Sequence, residues 1–325
     1  MDESTTQYAF SVVNVGQGSF QVFEFGDGDC IVFDCNLTGA PEYVCRYLGR
    51  RKIKRILVLI ITGTDADHAD VKGLRMLADR YEIARVWIPD FKKDTDNWKE
   101  FQRVLAELEK QGTKVEKPIA GDETPVGSVH LKALGPHPDD SDTSNNASLV
   151  VKLTAHKVGF LIPGDCEDKR WESILKFFKK WLSSDVLVAP HHGSDHGCVE
   201  EVIEIVNPLY TVVSVGEDNK YGHPDEGAMA IYRRLTSKEV FTTKDDGTIL
   251  FECDGERITN VVPHAGKDPE GVNEQAKRVA EALAGAGSIF VTRSGAPSTL
   301  AGSGVAYRPT HYHGGDKADD PKEED

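Results

Sequence analysis

The sequence predicts an α/β protein of four layers, with two β-sheets packed face to face, helices on both outer surfaces and a small C-terminal appendage. Three observations carry this expectation. Short β-branched runs parted by Gly-rich turns fill the chain before Ile53, an apolar strand followed by an amphipathic helix repeats after it, and the same succession returns from Leu149.

In the first half, Ala9 to Val13, Phe20 to Phe25 and Ile31 to Phe33 read as strands of a meander, broken at Gly16-Gln17-Gly18 and Gly26-Asp27-Gly28. Ile56 to Ile61 is a buried-type strand, Val71 to Tyr81 a helix and Ala84 to Ile88 a strand. Trp98 to Gln111 is a helix, with Phe101, Val104, Leu105 and Leu108 at helical spacing. The second half offers strands at Leu149 to Leu153, Val158 to Ile162, Val186 to Ala189 and Tyr210 to Val215, with helices at Asp168 to Trp181, Val199 to Val206 and Glu226 to Leu235. Strands at Val240 to Thr242, Thr248 to Glu252 and Ile258 to Val261 close it. After Pro263 the composition turns to Gly, Ala, Ser and Pro. We therefore expect a domain over 1–263, an appendage over 264–296 with one helix at Gly271 to Ala284, and a flexible acidic tail over 297–325.

Composition narrows the functional classes. Of 325 residues, 39% are hydrophobic and 28% charged, which excludes a disordered or fibrous chain. The 38 Lys and Arg against 53 Asp and Glu leave a net charge of -15, which repels nucleic acid and anionic membrane at long range. A polyanionic substrate would need a metal or a local basic patch. The candidates for such a patch are Lys176, Lys179 and Lys180 beside Phe177-Phe178, Arg50-Arg51-Lys52, and Lys92-Lys93, each of which reads more readily as a solvated helix end or loop. No apolar run is long enough to cross a bilayer and the first residues are polar, so a cytoplasmic location without a membrane partner is expected. The six cysteines lack CxxC spacing, which argues against a disulfide framework and a thiolate zinc site.

The chemistry concentrates where apolar strands end. Thr62-Gly63-Thr64-Asp65-Ala66-Asp67-His68 follows one strand and precedes a helix, presenting carboxylates and an imidazole at one turn, a combination suited to a divalent metal. Asp65 or Asp67 could instead cap the helix. Pro163-Gly164-Asp165 ends a second strand and Pro190-His191-His192-Gly193-Ser194 a third. Alone, Gly164-Asp165 reads as a turn and His191-His192 as a cap or surface pair. Together the three loops point to a metal site.

These residues resemble the metallo-β-lactamase-like hydrolases, and among them the nuclease-type domain of the ComEC/Rec2 competence proteins. The resemblance runs in order through Asn14 to Gly18, Phe33-Asp34, Thr62 to His68, Asn145 to Leu149, Pro163 to Asp165, Asp185 to Leu187 with His191 to Ser194, Tyr221 to Pro224 and Thr242 to Gly247. It implies an αββα metallo-β-lactamase sandwich with one or two divalent ions, zinc or manganese. By position it implies Asp65, Asp67, His68, Asp165 and His191 as metal ligands, Asp165 bridging. Asp34 would be the buried acid that orients a metal-bound histidine. Asn146, Ser148, His192, Ser194 and His223 would line the substrate cleft. The chain departs from the pattern at Gly63, where the family carries histidine, at Asn14, where an acid is usual, and at Ser19.

The expected activity is metal-dependent hydrolysis of DNA or a small phosphodiester by a metal-activated water, with Asp67 orienting the nucleophile and His192 stabilising phosphoryl charge. His223 would either protonate the leaving oxygen or serve as an alternative metal ligand. Two alternatives stand beside it. Loss of the histidine at Gly63 fits a degenerate, non-catalytic module that binds a protein partner through the appendage, and the same chemistry would serve a lactam, thioester or peptide.

Overall fold

Five-residue strands buried along their whole length, such as Tyr8–Val12 and Val158–Ile162, need apolar cover on both faces, and that need organises the fold. The computed structural model describes residues 7–37, 41–137, 143–217 and 219–265. The first half runs β1 (Tyr8–Val12), β2 (Gln21–Phe25), β3 (Asp29–Phe33), α1 (Pro41–Arg50), β4 (Arg55–Ile60), α2 (Val71–Arg80), β5 (Glu82–Ile83), β6 (Arg85–Trp87), α3 (Asp96–Lys110) and β7 (Lys114–Glu116). The second runs β8 (Glu123–Val126), β9 (Val129–Gly135), β10 (Val150–Ala155), β11 (Val158–Ile162), α4 (Asp168–Phe178), β12 (Val186–Val188), α5 (Glu200–Val206), β13 (Tyr210–Val213), α6 (Glu226–Leu235) and β14 (Glu239–Thr242). The short α7 (Thr243–Asp246) leads into β15 (Ile249–Cys253) and β16 (Ile258–Val262).

Among the described residues there are two sheets. One has nine strands in the order β16-β15-β1-β2-β3-β4-β6-β7 with β5 beside β4, and the other seven, β14-β13-β12-β11-β10-β9-β8. Alternate side chains of a strand face opposite ways. Accordingly Phe10, Phe23, Ile31, Ile60, Leu131, Val151, Phe160 and Val186 meet in one core between the sheets. Val32, Leu59, Leu74 and Phe101 form a second core under α1–α3, and Val150, Leu161, Trp171, Val202 and Tyr232 a third under α4–α6. The order of layers is therefore αββα.

The differences from the expected elements are local. α1 is an addition, a ten-residue helix whose buried Val44, Tyr47 and Leu48 sit at i, i+3 and i+4, too few apolar positions to stand out in sequence. Strands β7, β8 and β9 fill a stretch left without strands above. The expected helix from Asp168 to Trp181 ends at Phe178 and tightens to a 3-10 turn over Lys179–Trp181. The appendage beyond Ala265, with its expected helix and partner contact, and the tail over 297–325 lie outside the described residues.

The inter-sheet core should dominate stability. Phe160 packs with ring centroids 4.8 Å from Phe10 and 5.7 Å from Phe23 and is fully buried. Phe160→Ala should cost about 3–5 kcal/mol of unfolding free energy, read from the urea midpoint at constant slope. A loss below about 1 kcal/mol would contradict a close-packed interface between the sheets.

Candidate metal centre

Parallel pairing brings the loop ends together. β3 pairs with β4 in register Phe33↔Ile60, so Asp34 emerges beside Thr62, and its backbone N–H donates to the Ile60 carbonyl at 2.7 Å. β11 pairs with β12, so Asp165 and His191-His192 leave the second sheet side by side, with His191 N–H donating to Gly164 O at 3.0 Å. The two sheets are tied at this end by Leu149 N–H to Thr62 O, 2.8 Å. Gly164 is required there: its φ is +59°, and a Cβ would meet the Thr62 Cβ and Oγ1 at 2.9 Å.

The loop 61–70 winds back on itself, with the N–H groups of His68 and Ala69 donating to Asp65 O. Asp70, rather than Asp65 or Asp67, caps α2 by accepting from Gly73 N–H at 2.9 Å. That frees Asp67 and His68 to face Asp165 and His192. One donor atom from each of these four lies within 4.8 Å of the others. His68 Nε2 and Asp165 Oδ1 stand 2.8 Å apart, and His192 Nε2 lies 3.5 Å from Asp67 Oδ2 and 3.8 Å from Asp165 Oδ1. Yet His68 Nε2, Asp165 Oδ1 and His192 Nε2 are all buried without a hydrogen-bond partner.

Orphaned buried polar atoms cost about 1–3 kcal/mol each, so three converging on one point mark a place built for something else. Two imidazole nitrogens and two carboxylate oxygens are a donor set that suits a divalent ion such as zinc or manganese. The imidazoles are also preset for it. His68 Nδ1 donates to Asp34 Oδ2 at 2.8 Å and His192 Nδ1 donates to the Ser214 carbonyl at 2.7 Å, which leaves each Nε2 lone pair directed into the cluster.

Electrostatics agree. Burial alone would lower the pKa of His68, but Asp165 and Asp34 outweigh it and hold the imidazole well above its usual range. Burial likewise opposes a charged His192, and Asp165 and Asp67 overcome it. Burial would raise Asp165 and Asp67, but the facing histidines bring both carboxyls below their ordinary values.

Several sequence expectations change place. His191 turns away from the cluster: its Nδ1 lies 3.0 Å from Glu167 Oε1, and its ring packs edge-on to His223 at 5.6 Å. The histidine in the cluster is His192, expected instead as a cleft residue. The cause is backbone: His191 and His192 both adopt left-handed φ (+47° and +53°), and that double reversal sends the second imidazole inward. Asp65 stands apart from the four donors because Lys93 Nζ pairs with its Oδ1. Asn146, Ser148 and Ser194 do not line the cleft but support it from behind. Asn146 accepts from Arg170, Ser148 Oγ accepts from Asp165 N–H at 3.2 Å, and Ser194 Oγ accepts from His196 N–H at 3.3 Å. His223 does line it, with Nδ1 3.4 Å from Asp225 Oδ1, and Asp34 sits fully buried against His68.

Asp67, Asp165 and His192 line an open cleft of about 770 Å³, with His68 buried behind them, and its walls include Gln17, Asn145, Lys220, Tyr221 and His223. Asn145, whose Nδ2 donates to Glu167, was expected only as part of a motif and Lys93 only as part of a basic patch; their places at the cleft and on Asp65 depend on residues distant in sequence. Of the basic candidates, Arg51 pairs with Glu24, Lys179 with Glu201 and Lys93 with Asp65, while Lys176 and Lys180 lie over Phe177 and Trp181. None of the described helices is long and apolar enough to cross a membrane.

A two-sheet, four-layer sandwich with Asp and His gathered at strand ends is the metallo-β-lactamase fold, and solved structures bear this out. The metallo-β-lactamase-fold protein YhfI from Bacillus subtilis superposes with a TM-score of 0.50 at 13% identity, covering 76% of this chain and all of that one. In sequence the chain is similar to competence proteins. It is 27% identical to ComE operon protein 3 of Bacillus subtilis (strain 168) over 205 residues, 63% of this chain and 26% of that protein. It is 25% identical to Recombination protein 2 of Haemophilus influenzae over 239 residues, 72% of this chain and 27% of the relative. The chain thus spans about a quarter of the length of these curated relatives. No family model matches it.

Because an entering ion competes with protons for the Nε2 atoms of His68 and His192, whose proton affinity the facing carboxylates raise, zinc or manganese affinity should rise with pH and fall in acid. Calorimetry across a pH series in buffers of different ionisation enthalpy would register the release; affinity flat with pH and no proton release would contradict it. The same titration separates the adjacent histidines, since His192→Ala should abolish tight binding and His191→Ala should leave it. Asp34→Asn should weaken binding about 10–100-fold with circular dichroism unchanged.

Proposed function

We propose that this chain is a metal-dependent hydrolase of phosphodiesters, acting on DNA or a smaller ester. One observation carries the reading: the donors of half-buried Asp67 and buried His68, Asp165 and His192 converge, three of them with orphaned atoms, where Asp67, Asp165 and His192 line an open cleft. Asp67, His68, Asp165 and His192 would hold the ion, which when bound supplies Lewis acidity and an activated water.

The remaining steps belong to the chain. Asp67 is the least buried of the four, and its carboxylate accepts a hydrogen bond from the attacking water and holds it in line. His223, braced by Asp225, protonates the departing oxygen from the cleft wall. Lys220, over the Tyr221 ring at 4.8 Å, and Asn145 offer donors to phosphoryl oxygens. Ser148 acts indirectly by fixing the backbone of Asp165. The similarity to competence and recombination proteins supports a nucleic-acid ester over a lactam, thioester or peptide.

A second reading, a non-catalytic binding module, is favoured by Gly63 and by the engagement of Asp65 with Lys93. Turnover of single-stranded, duplex and circular DNA and of a chromogenic phosphodiester, with added manganese or zinc, decides between them. The hydrolase reading expects metal-dependent turnover that falls more than about a hundredfold in Asp165→Ala. Ion binding without turnover on any of these substrates would favour the module.

A further inference from the structure

We propose that the centre takes one divalent ion rather than two, and that Lys93 is what closes the second position. This rests on the reading of Asp67, His68, Asp165 and His192 as ligands, and not on the identity of the substrate.

In the loop that supplies Asp67 and His68, the other carboxylates are Asp70, which caps α2, and Asp65. Position 63 is glycine and offers no donor. A Cβ built there lies 3.2 Å from the Cγ of His68, so a larger side chain would crowd the imidazole that serves the first ion. Asp65 faces the cleft with Asp67 and Asp165 and would be the natural ligand, but its carboxylate is engaged by the Lys93 ammonium.

That pair differs from an ordinary surface ion pair. Lys93 is only 19% exposed, and it comes from the segment between β6 and α3, the helix whose first turn is tied to the 61–70 loop by Asn97 Nδ2 donating to Ala69 O at 2.7 Å. Asp65 is anchored in turn, its carbonyl accepting from His68 and Ala69 N–H at 3.0 and 2.7 Å. With Lys93 largely withdrawn from solvent, the pair is screened less than one on the open surface. A divalent ion seeking Asp65 must displace a fixed ammonium and sit beside both it and the first ion, against like-charge repulsion. Lys93 thus supplies the positive charge that Asp65 needs, in place of a metal.

The test is a count of ions, independent of turnover. The full chain is dialysed against manganese, and separately zinc, and metal per chain is measured by mass spectrometry. Manganese spin resonance then reports whether bound ions are magnetically isolated or coupled. The wild-type chain should saturate at one ion with an isolated signal. Lys93→Met should admit a second, weaker ion with a coupled signal, and Lys93→Met combined with Asp65→Asn should return to one. Lys93→Gln repeats the test should the methionine variant not fold. Two ions in the wild type, or one ion in a folded Lys93 variant, would overturn the proposal. An absence of any bound ion would overturn it together with the ligand assignment, whereas one bound ion without turnover would refute only the hydrolase reading.

Discussion

Asp34 is fully buried at the end of β3, in a left-handed conformation (φ 59°) that an aspartate adopts only when its surroundings hold it there. Its carboxylate accepts from the backbone N–H of Thr62 at 2.6 Å, from the Thr62 hydroxyl and from His68 Nδ1 at 2.8 Å. Both carboxyl oxygens therefore accept hydrogen bonds, which is how a polar side chain can sit unexposed in the fold. The consequence reaches outward. Thr62 is fixed at the end of β4, the metal loop starts in a defined direction, and His68 can present only Nε2 to the cluster.

The second sheet answers that arrangement from the other side. β11 and β12 end side by side, Gly164 lets the Asp165 loop approach Thr62 within the space of a missing Cβ, and the reversal at His191-His192 turns one imidazole toward Asp165 and the other toward Glu167. Neither sheet owns a complete donor set. Asp67 and His68 come from the first and Asp165 and His192 from the second, so the inter-sheet core that packs Phe10 and Phe23 on Phe160 also sets the spacing of the candidate metal centre.

Much of this was legible in the sequence. The repeated meander and strand-helix succession predicts the layers because period-2 and period-3.6 burial are local properties, and Asp67, His68 and Asp165 stand at strand ends where ligands collect. What was not legible depends on distant partners. Nothing in His191-His192 says which ring faces inward; the Ser214 carbonyl and the left-handed backbone decide it. Asn146, Ser148 and Ser194 are polar residues near a cleft, and only the positions of Arg170, Asp165 and His196 make them supports. Asp65 looks like a ligand until Lys93, from another loop, is placed on it.

The central claim is that the protein was built around one ion held by donors from both sheets. Anomalous diffraction at the zinc edge, from crystals grown with zinc, tests it most directly. The account predicts a single peak about 2.0–2.2 Å from the Nε2 atoms of His68 and His192 and from oxygens of Asp67 and Asp165. A peak bonded to His191 instead, or no peak within reach of Asp165, would contradict it.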